Sequence, residues 1–555
     1  MAEKAKSKKE RTHILRWLRP RLKGAWGQLA LLLIVTLILC TVLMAISISM
    51  KLYLDIASGV SDYTVFQVTC FAVSAIVIIG LCQMGIARLR AKIVCRIELN
   101  IREGLLRDTY TDAYQKVQSV GPNAYMTRLT NDASVLSVFL PDVIVNYVLQ
   151  ELVMMVLSIV LMFCLSWQMA VTFCIAVPVM VFLILKFSGG MQARSAKIME
   201  AEEGNRRLMQ ELLDRNVVFR IYQTFSARLS HMTEQYKSKT SATVSLGTLT
   251  GLVSFFNNLM GIGLFVLALG LGTTLALDGK ITVGSVVAIV NLVSYLYGPF
   301  IHVTDWMSKF SQAHASVARM QEVAVSGEGS VPRTSIQSAK ELELEKVIFG
   351  YNEETQVVRG ATLSFRRGEI VAVSGANGCG KSTLSYLLMG LYAPEEGHIR
   401  ADGGEIDRIA EGDISFVPNT VHLFGGTVRE NVLMNLPYSA ENWRRAVQDA
   451  GLDRVLASHE LGEEEQISEG SDNYSSGQLQ RINLARAFYR DAPLYVLDEP
   501  SSYLDADATV HLMETLRQRC KDRFVLVISH DDKVLEQCDR RFIMENGVLT
   551  EQRAS

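Results

Sequence analysis

The chain has 555 residues, is 49% hydrophobic and carries a formal net charge of -2. That length exceeds what one core organises, so two or more domains are expected, and the near-neutral charge argues against a nucleic acid or other polyanion as partner. Nine cysteines without paired spacing exclude a disulfide framework and read as reduced thiols.

Residues 1–23 hold nine Lys and Arg, and "ILRWLRPRLKGAW" predicts an interfacial amphipathic helix. Residues 1–10 read equally as a solvated basic tail. Five runs, 24–50, 63–87, 152–185, 240–277 and 281–304, contain no Asp, Glu, Lys or Arg, and each exceeds the ~20 residues that cross a bilayer. The third contains the polar turn Ser166-Trp167-Gln168. It follows a stretch from 143 that is apolar apart from Asn146, Gln150 and Glu151, so a tight helical hairpin is expected there and six spanning helices in all. The first run is too long for a cleaved secretory signal. Connections 88–141 and 186–248 carry eight and ten basic residues, whereas the alternate connections contribute Lys51 and Lys280. The inner surface retains basic loops, so both termini and the long connections are expected to be cytoplasmic in a multi-pass protein of the cell membrane.

Past Asp305 the composition shifts. The expected boundaries are a basic segment with its elbow helix at 1–23, a helical membrane domain at 24–320, a Gly/Ser/Pro-bearing linker at 321–337 and a soluble α/β domain at 338–555. "EIVAVSGANGCGKSTLSYLLMG" reads as strand, glycine-rich turn and helix. Gly375, Gly380, Lys381 and Ser382 fit the G-x-x-x-x-G-K-[ST] pattern, whose backbone amides curl around phosphate oxygens. Ser374, Ala376, Asn377, Gly378, Cys379 and Thr383 complete that loop. Lys381 supplies a point charge near the β and γ phosphates, and Ser382 a ligand for Mg2+. "LYVLDEP" gives a buried strand ending in Asp498, for the Mg2+ shell, and Glu499, placed to polarise an attacking water. "FVLVISHDD" brings His530 to a third strand end, suited to a γ-phosphate contact.

This ordered set resembles the nucleotide-binding domain of the ATP-binding-cassette (ABC) transporters over about residues 340–550. "YSSGQ", containing Ser475, Ser476, Gly477 and Gln478, falls where that family has LSGGQ, and "LQRINLARAFYRDAPLYVLDEPSSYLD" follows it in family order. Tyr351 resembles the aromatic that stacks on adenine, Asp505 the D-loop aspartate and His530 the switch histidine. The fold implied is a six-helix transmembrane domain of the type IV exporter kind, then an α/β P-loop NTPase domain. "YMTRLTNDASVL" at 125–136 resembles the first intracellular loop and "LLDRNVVFRIYQTF" at 212–225 the second. The resemblance implies ATP and Mg2+ as cofactors, and a dimer in which each signature turn faces the other protomer's ATP.

The pattern departs at Tyr474 and Ser476, which replace Leu and Gly of the signature, and at Asn419, which replaces the Q-loop glutamine that reaches toward Mg2+. A heterodimer with one competent site and a homodimer with two impaired sites both fit. Asn291, Tyr295, Gly298, His302 and Asp305 recur at helical steps on the last span. With Asn257, Asn258, Asn146 and Glu151 they read either as a polar pathway lining or as a hydrogen-bonding seam between helices. Export of a lipophilic small molecule or peptide is the leading expectation; import of a metal chelate and a nucleotide-gated, non-transporting subunit are the alternatives.

Overall fold

The computed structural model describes residues 13–111, 114, 117–118, 121–323, 333–352, 355–468 and 473–552. The chain divides into two units, Met1–Tyr110 with Val120–Val325, and Thr111–Ser119 with Ser326–Ser555.

Every element described in the first unit is helical. α1 (His13–Leu18) gives way to a 3-10 turn at Arg19–Leu22, so the single amphipathic helix expected there is broken. Pro20 starts the tighter turn because it lacks an amide for the α ladder. Ile14, Leu18 and Leu22 still bury one i, i+4 face, and the Arg21 guanidinium lies 3.6 Å over the Trp17 ring. The long helices are α2 (Trp26–Ala57), α3 (Val65–Thr111), α4 (Ala124–Leu165), α5 (Trp167–Asp214), α7 (Phe225–Leu277) and α8 (Val283–Val323). A six-residue α6 (Asn216–Ile221) lies between α5 and α7.

Among the described residues, α2, α3, α4, α7 and α8 are long and apolar enough to cross a membrane. The sixth expected crossing falls on α5, where several side chains lie outside the described set. The 53 residues of α7 span ~80 Å at 1.5 Å per residue, more than twice the ~30 Å hydrocarbon core. Large apolar side chains such as Phe66, Ile76 and Leu81 stand exposed along α3, a surface suited to lipid and not to water.

The hairpin is where the polar turn placed it. Ser166 is extended, with φ -163° and ψ 112°, between the ends of α4 and α5. Residues 125–136 are helical. They lie within α4, which widens to π-type turns at Arg128–Asp132 and Phe139–Leu149, because the stretch contains neither Gly nor Pro to stop a helix. Residues 212–225 do hold a reversal, built from α6 and from Gln223 at φ 53°.

Polar groups join these helices. Buried Asp132 accepts from Ser316 Oγ at 2.8 Å and Arg319 Nε at 3.0 Å, both on α8, and Arg90 on α3 donates to Asp142 at 2.6 Å. Ser47 donates to Asn291 Oδ1 at 2.7 Å, and Asn257 donates to the Phe300 carbonyl at 2.9 Å. At Asn291 and Asn257 the polar stripe is therefore a seam between helices. The side chain of Asn146 lies outside the described residues.

The second unit is α/β. A six-stranded sheet runs β12-β11-β3-β10-β9-β6, parallel from β11 to β6 with β12 antiparallel at the edge. Its strands are β3 (Ile370–Ser374), β6 (Ile414–Val417), β9 (Leu494–Asp498), β10 (Phe524–Ile528), β11 (Arg540–Glu545) and β12 (Val548–Gln552). An antiparallel sheet, β2-β1-β4-β5, contains β1 (Glu341–Asn352), β2 (Thr355–Arg366), β4 (Glu396–Ala401) and β5 (Gly404–Ile406), while β7 (Gly426–Thr427) pairs with β8 (Gln466–Ile467).

The parallel strands are apolar runs because both faces are covered. Ile370, Ala372, Tyr495, Leu497, Val525 and Val527 enter one core, and Val371, Val373, Leu494, Val496, Leu526 and Ile528 the other. In register, Val373, Ile528 and Asp498 are level. The three strand ends that carry the motifs thus share one edge, where ligands bind parallel sheets.

Candidate nucleotide site

The glycine-rich turn follows β3 and opens α9 (Lys381–Leu388). Gly375 has φ +147°, and a Cβ there would overlap the carbonyl of Met544 on β11; Gly380, at φ +111°, would meet the Met544 methyl at 2.8 Å. Only glycine permits this path. Lys381 is buried and donates from Nζ to the carbonyls of Gly375 at 2.7 Å and Ala376 at 3.1 Å, which holds its ammonium against the loop.

Ser382 Oγ donates to Asp498 Oδ2 at 2.8 Å. Burial pushes the Asp498 carboxyl above the usual carboxylate range; the Ser382 bond opposes the shift, the neighbouring Glu499 adds to it, and Lys381 draws it back. Glu499 is buried at φ 51°, its amide bonded to the Ile528 carbonyl at 2.8 Å. This left-handed backbone turns its side chain away from the line of β9. His530 Nδ1 lies 2.8 Å from Glu499 Oε1. A carboxylate only accepts, so Nδ1 carries the proton.

A cavity of about 410 Å³ is lined by Tyr351, Val357, Asn377, Gly378, Gly380, Lys381, Ser382, Thr383, Asn419, Asp498 and Glu499. Sequence reasoning missed Val357, whose alternating strand gave no sign that it borders the turn. Tyr351 is held by a 2.9 Å bond to Thr383 Oγ1 and by edge contacts to Phe349 and Tyr392, leaving the ring half exposed. Tyr114, from the segment 111–119, packs on Tyr386 and Tyr392 at 5.9 and 5.6 Å.

The signature residues lie elsewhere. Ser475 caps α10 (Ser476–Arg490), accepting from the Gln478 amide while Gln478 Oε1 accepts from the Ser475 amide at 2.8 Å, so the helix N-terminus is a closed capping box. Ser476 is exposed at the first helical position, and a Cβ on Gly477 would stand 2.7 Å from the Tyr503 carbonyl. Tyr474, in place of leucine, is buried and stacks on His459 at 4.7 Å. Asp505 caps α11 (Ala506–Arg519) through the Ala508 amide at 2.7 Å. None of Ser475, Ser476, Gly477, Gln478 or Asp505 lines this cavity.

The oxygens of Ser382, Asp498 and Asn419 form a hard, sparse donor set. It suits Mg2+, which keeps several waters and shares phosphate oxygens rather than entering a protein cage.

Comparison with known proteins agrees with this geometry. The ABC transporter transmembrane region matches residues 29–300 and the ABC transporter module residues 358–502. A glutathione/L-cysteine transport system ATP-binding/permease protein of Escherichia coli is 33% identical over 45% of each chain, so that match spans less than half of the relative. An uncharacterized ABC transporter ATP-binding protein of Bacillus subtilis is 26% identical over 82% of this chain and 81% of its own. An ATP-dependent lipid A-core flippase of Syntrophus aciditrophicus is 25% identical over 86% and 82%. The solved structure of a bacterial Atm1-family ABC exporter with ATP bound shares the fold, with a TM-score of 0.79 at 18% identity over 96% of this chain and 95% of that one. With a multi-pass helical region and an ATP-binding module fused in one polypeptide, the chain belongs to the ABC transporter family and has the organisation of a half-transporter.

Proposed function

We propose that this chain is one half of a dimeric pump that uses ATP binding and hydrolysis to export a lipophilic small molecule or peptide. The observation that carries the reading is the gathering of Lys381, Ser382, Asp498, Glu499 and the Glu499–His530 bond at one sheet edge, with the signature turn outside that cavity. Lys381 and the loop amides hold the phosphates, and Ser382, Asp498 and Asn419 hold Mg2+, which neutralises phosphate charge when bound. Glu499 polarises the water and His530 orients the carboxylate. The exposed N-terminus of α10 in one protomer completes the site of its partner.

The basic connections support a cytoplasmic position for the second unit. Relatives named as a lipid A-core flippase and a multidrug export protein support outward movement of lipophilic cargo. The intact Glu499–His530 pair favours a pump over a nucleotide-gated regulator. Sealed vesicles containing the purified chain, alone and together with a second half-transporter, test this: ATP-driven accumulation of a lipophilic probe against its gradient is expected in at least one arrangement, and passive or absent flux with ATP bound in both contradicts it. Turnover by the chain alone, compared with turnover beside a second half-transporter, separates homodimer from heterodimer.

A further inference from the structure

One acid within the helical unit lies outside the energy-coupling machinery. Glu151 is 15 residues before the Ser166 turn, about 22 Å along the helix at 1.5 Å per residue and so inside a ~30 Å hydrocarbon layer. Among the described residues its charge partner is His302 on α8, Oε1 to Nε2 at 3.9 Å, beyond hydrogen-bond range. The two side chains keep 26% and 42% of their surface exposed. The seam residues contrast with them: Asn257 and Ser47 are buried and closed by bonds of 2.9 and 2.7 Å. Space is also kept for the acid, since a Cβ on Gly298 would stand 2.7 Å from Glu151 Oε2.

An acid in a spanning segment is costly to leave without a partner, and polar groups at that depth face a cavity or another helix. A cation arriving from outside the chain supplies the pairing that His302, at 3.9 Å, does not close. Among the described residues there is no group of three His, Cys, Asp or Glu able to hold a metal ion, so an organic cation fits better than a metal.

We infer that Glu151 is the cargo-recognition anchor of this transporter, taking the cationic group of a lipophilic ammonium or phosphonium compound, with His302 as its positioning neighbour and Gly298 as the gap that seats the carboxyl group. The inference rests on the export reading for its cargo, but binding without nucleotide tests it apart from pumping.

The full chain in lipid nanodiscs, without ATP, is titrated with tetraphenylphosphonium and with tetraphenylborate, which share a shape and differ in sign. Saturable binding of the phosphonium alone is expected. Glu151→Gln weakens it at least tenfold, Gly298→Ala by a smaller factor, and His302→Gln by no more than a few-fold, while binding of an ATP analogue stays at the wild-type level in all three and reports that the cassette is folded. A pair serving only to join helices would lose as much from His302→Gln as from Glu151→Gln. That symmetry, equal binding of both ions, or unchanged binding in Glu151→Gln overturns the assignment. Failure of ATP-driven accumulation with this binding intact would instead count against the pump.

Discussion

The Glu499–His530 bond allows a double-mutant cycle. Glu499→Gln keeps the side-chain volume and removes the base, and general-base catalysis contributes about 10²–10⁴-fold, or ~2.7–5.4 kcal/mol at 1.36 kcal/mol per decade. A hydrogen bond to a charged group is worth ~1.5–3 kcal/mol. The His530 side chain is 74% exposed while that of Glu499 is 10% exposed, so solvent screening places His530 at the low end, ~1.5 kcal/mol or roughly tenfold in rate. If His530 acts by aiming Glu499, the two losses do not add, and the double variant turns over no more slowly than Glu499→Gln alone. Steady-state phosphate release, with ATP-analogue binding measured in parallel, provides the assay. Rate losses that multiply across the double variant would show that His530 contacts the phosphate independently. Retention of more than a tenth of the wild-type rate by Glu499→Gln would remove Glu499 from the role of base.

Two further outcomes follow from burial. Asp498 titrates above its unfolded range, so the folded cassette takes up its proton more readily than the unfolded chain, and the ionised form reduces stability at pH 7.5. Asp498→Asn is expected to raise the Tm of the nucleotide-free protein, by ~2–4 °C for each kcal/mol relieved, with the gain vanishing as pH falls below the ordinary aspartate pKa; Mg-ATP affinity falls in the same variant, and a lower Tm would contradict the argument. The thiols of Cys520 and Cys538 are pushed up to about 12 by burial, whereas Cys379 is partly exposed in the phosphate loop. Maleimide labelling at pH 8, mapped by mass spectrometry, is expected to modify Cys379 in the folded protein and to be slowed at least tenfold by saturating ATP, with Cys520 and Cys538 reacting only after denaturation.

The strand, glycine-rich turn and helix around Gly375 to Ser382 were legible because a turn that must follow a strand and precede a helix leaves little freedom in its spacing. The Ser166 turn was legible for a similar reason, since Ser166 and Gln168 interrupt a long run that holds no Asp, Glu, Lys or Arg. The local form of the first long connection was not legible, because "YMTRLTNDASVL" is polar without being helix-breaking, and polarity marks solvent exposure without saying that the chain widens to π-type turns there. The polar positions of the last span and its neighbouring helices divided in two because periodicity assigns a face but does not say what the face meets. Asn291 on α8 and Asn257 on α7 meet other helices, whereas Glu151 on α4 and His302 on α8 keep open surface. Val357 and Met544 carry no chemical signature at all; the pairing of β11 with β3 brings Met544 under the loop, and packing alone brings the Val357 carbonyl against Gly380.

The carbonyl of Met544 beneath Gly375 has a consequence for biosynthesis. β3 pairs with β11, so the glycine-rich loop rests on a strand synthesised some 160 residues after Ser382, a lag of about 10–30 s at 5–20 residues per second. Translation order therefore lets the helices reach the bilayer before the glycine-rich loop has the strand that floors it.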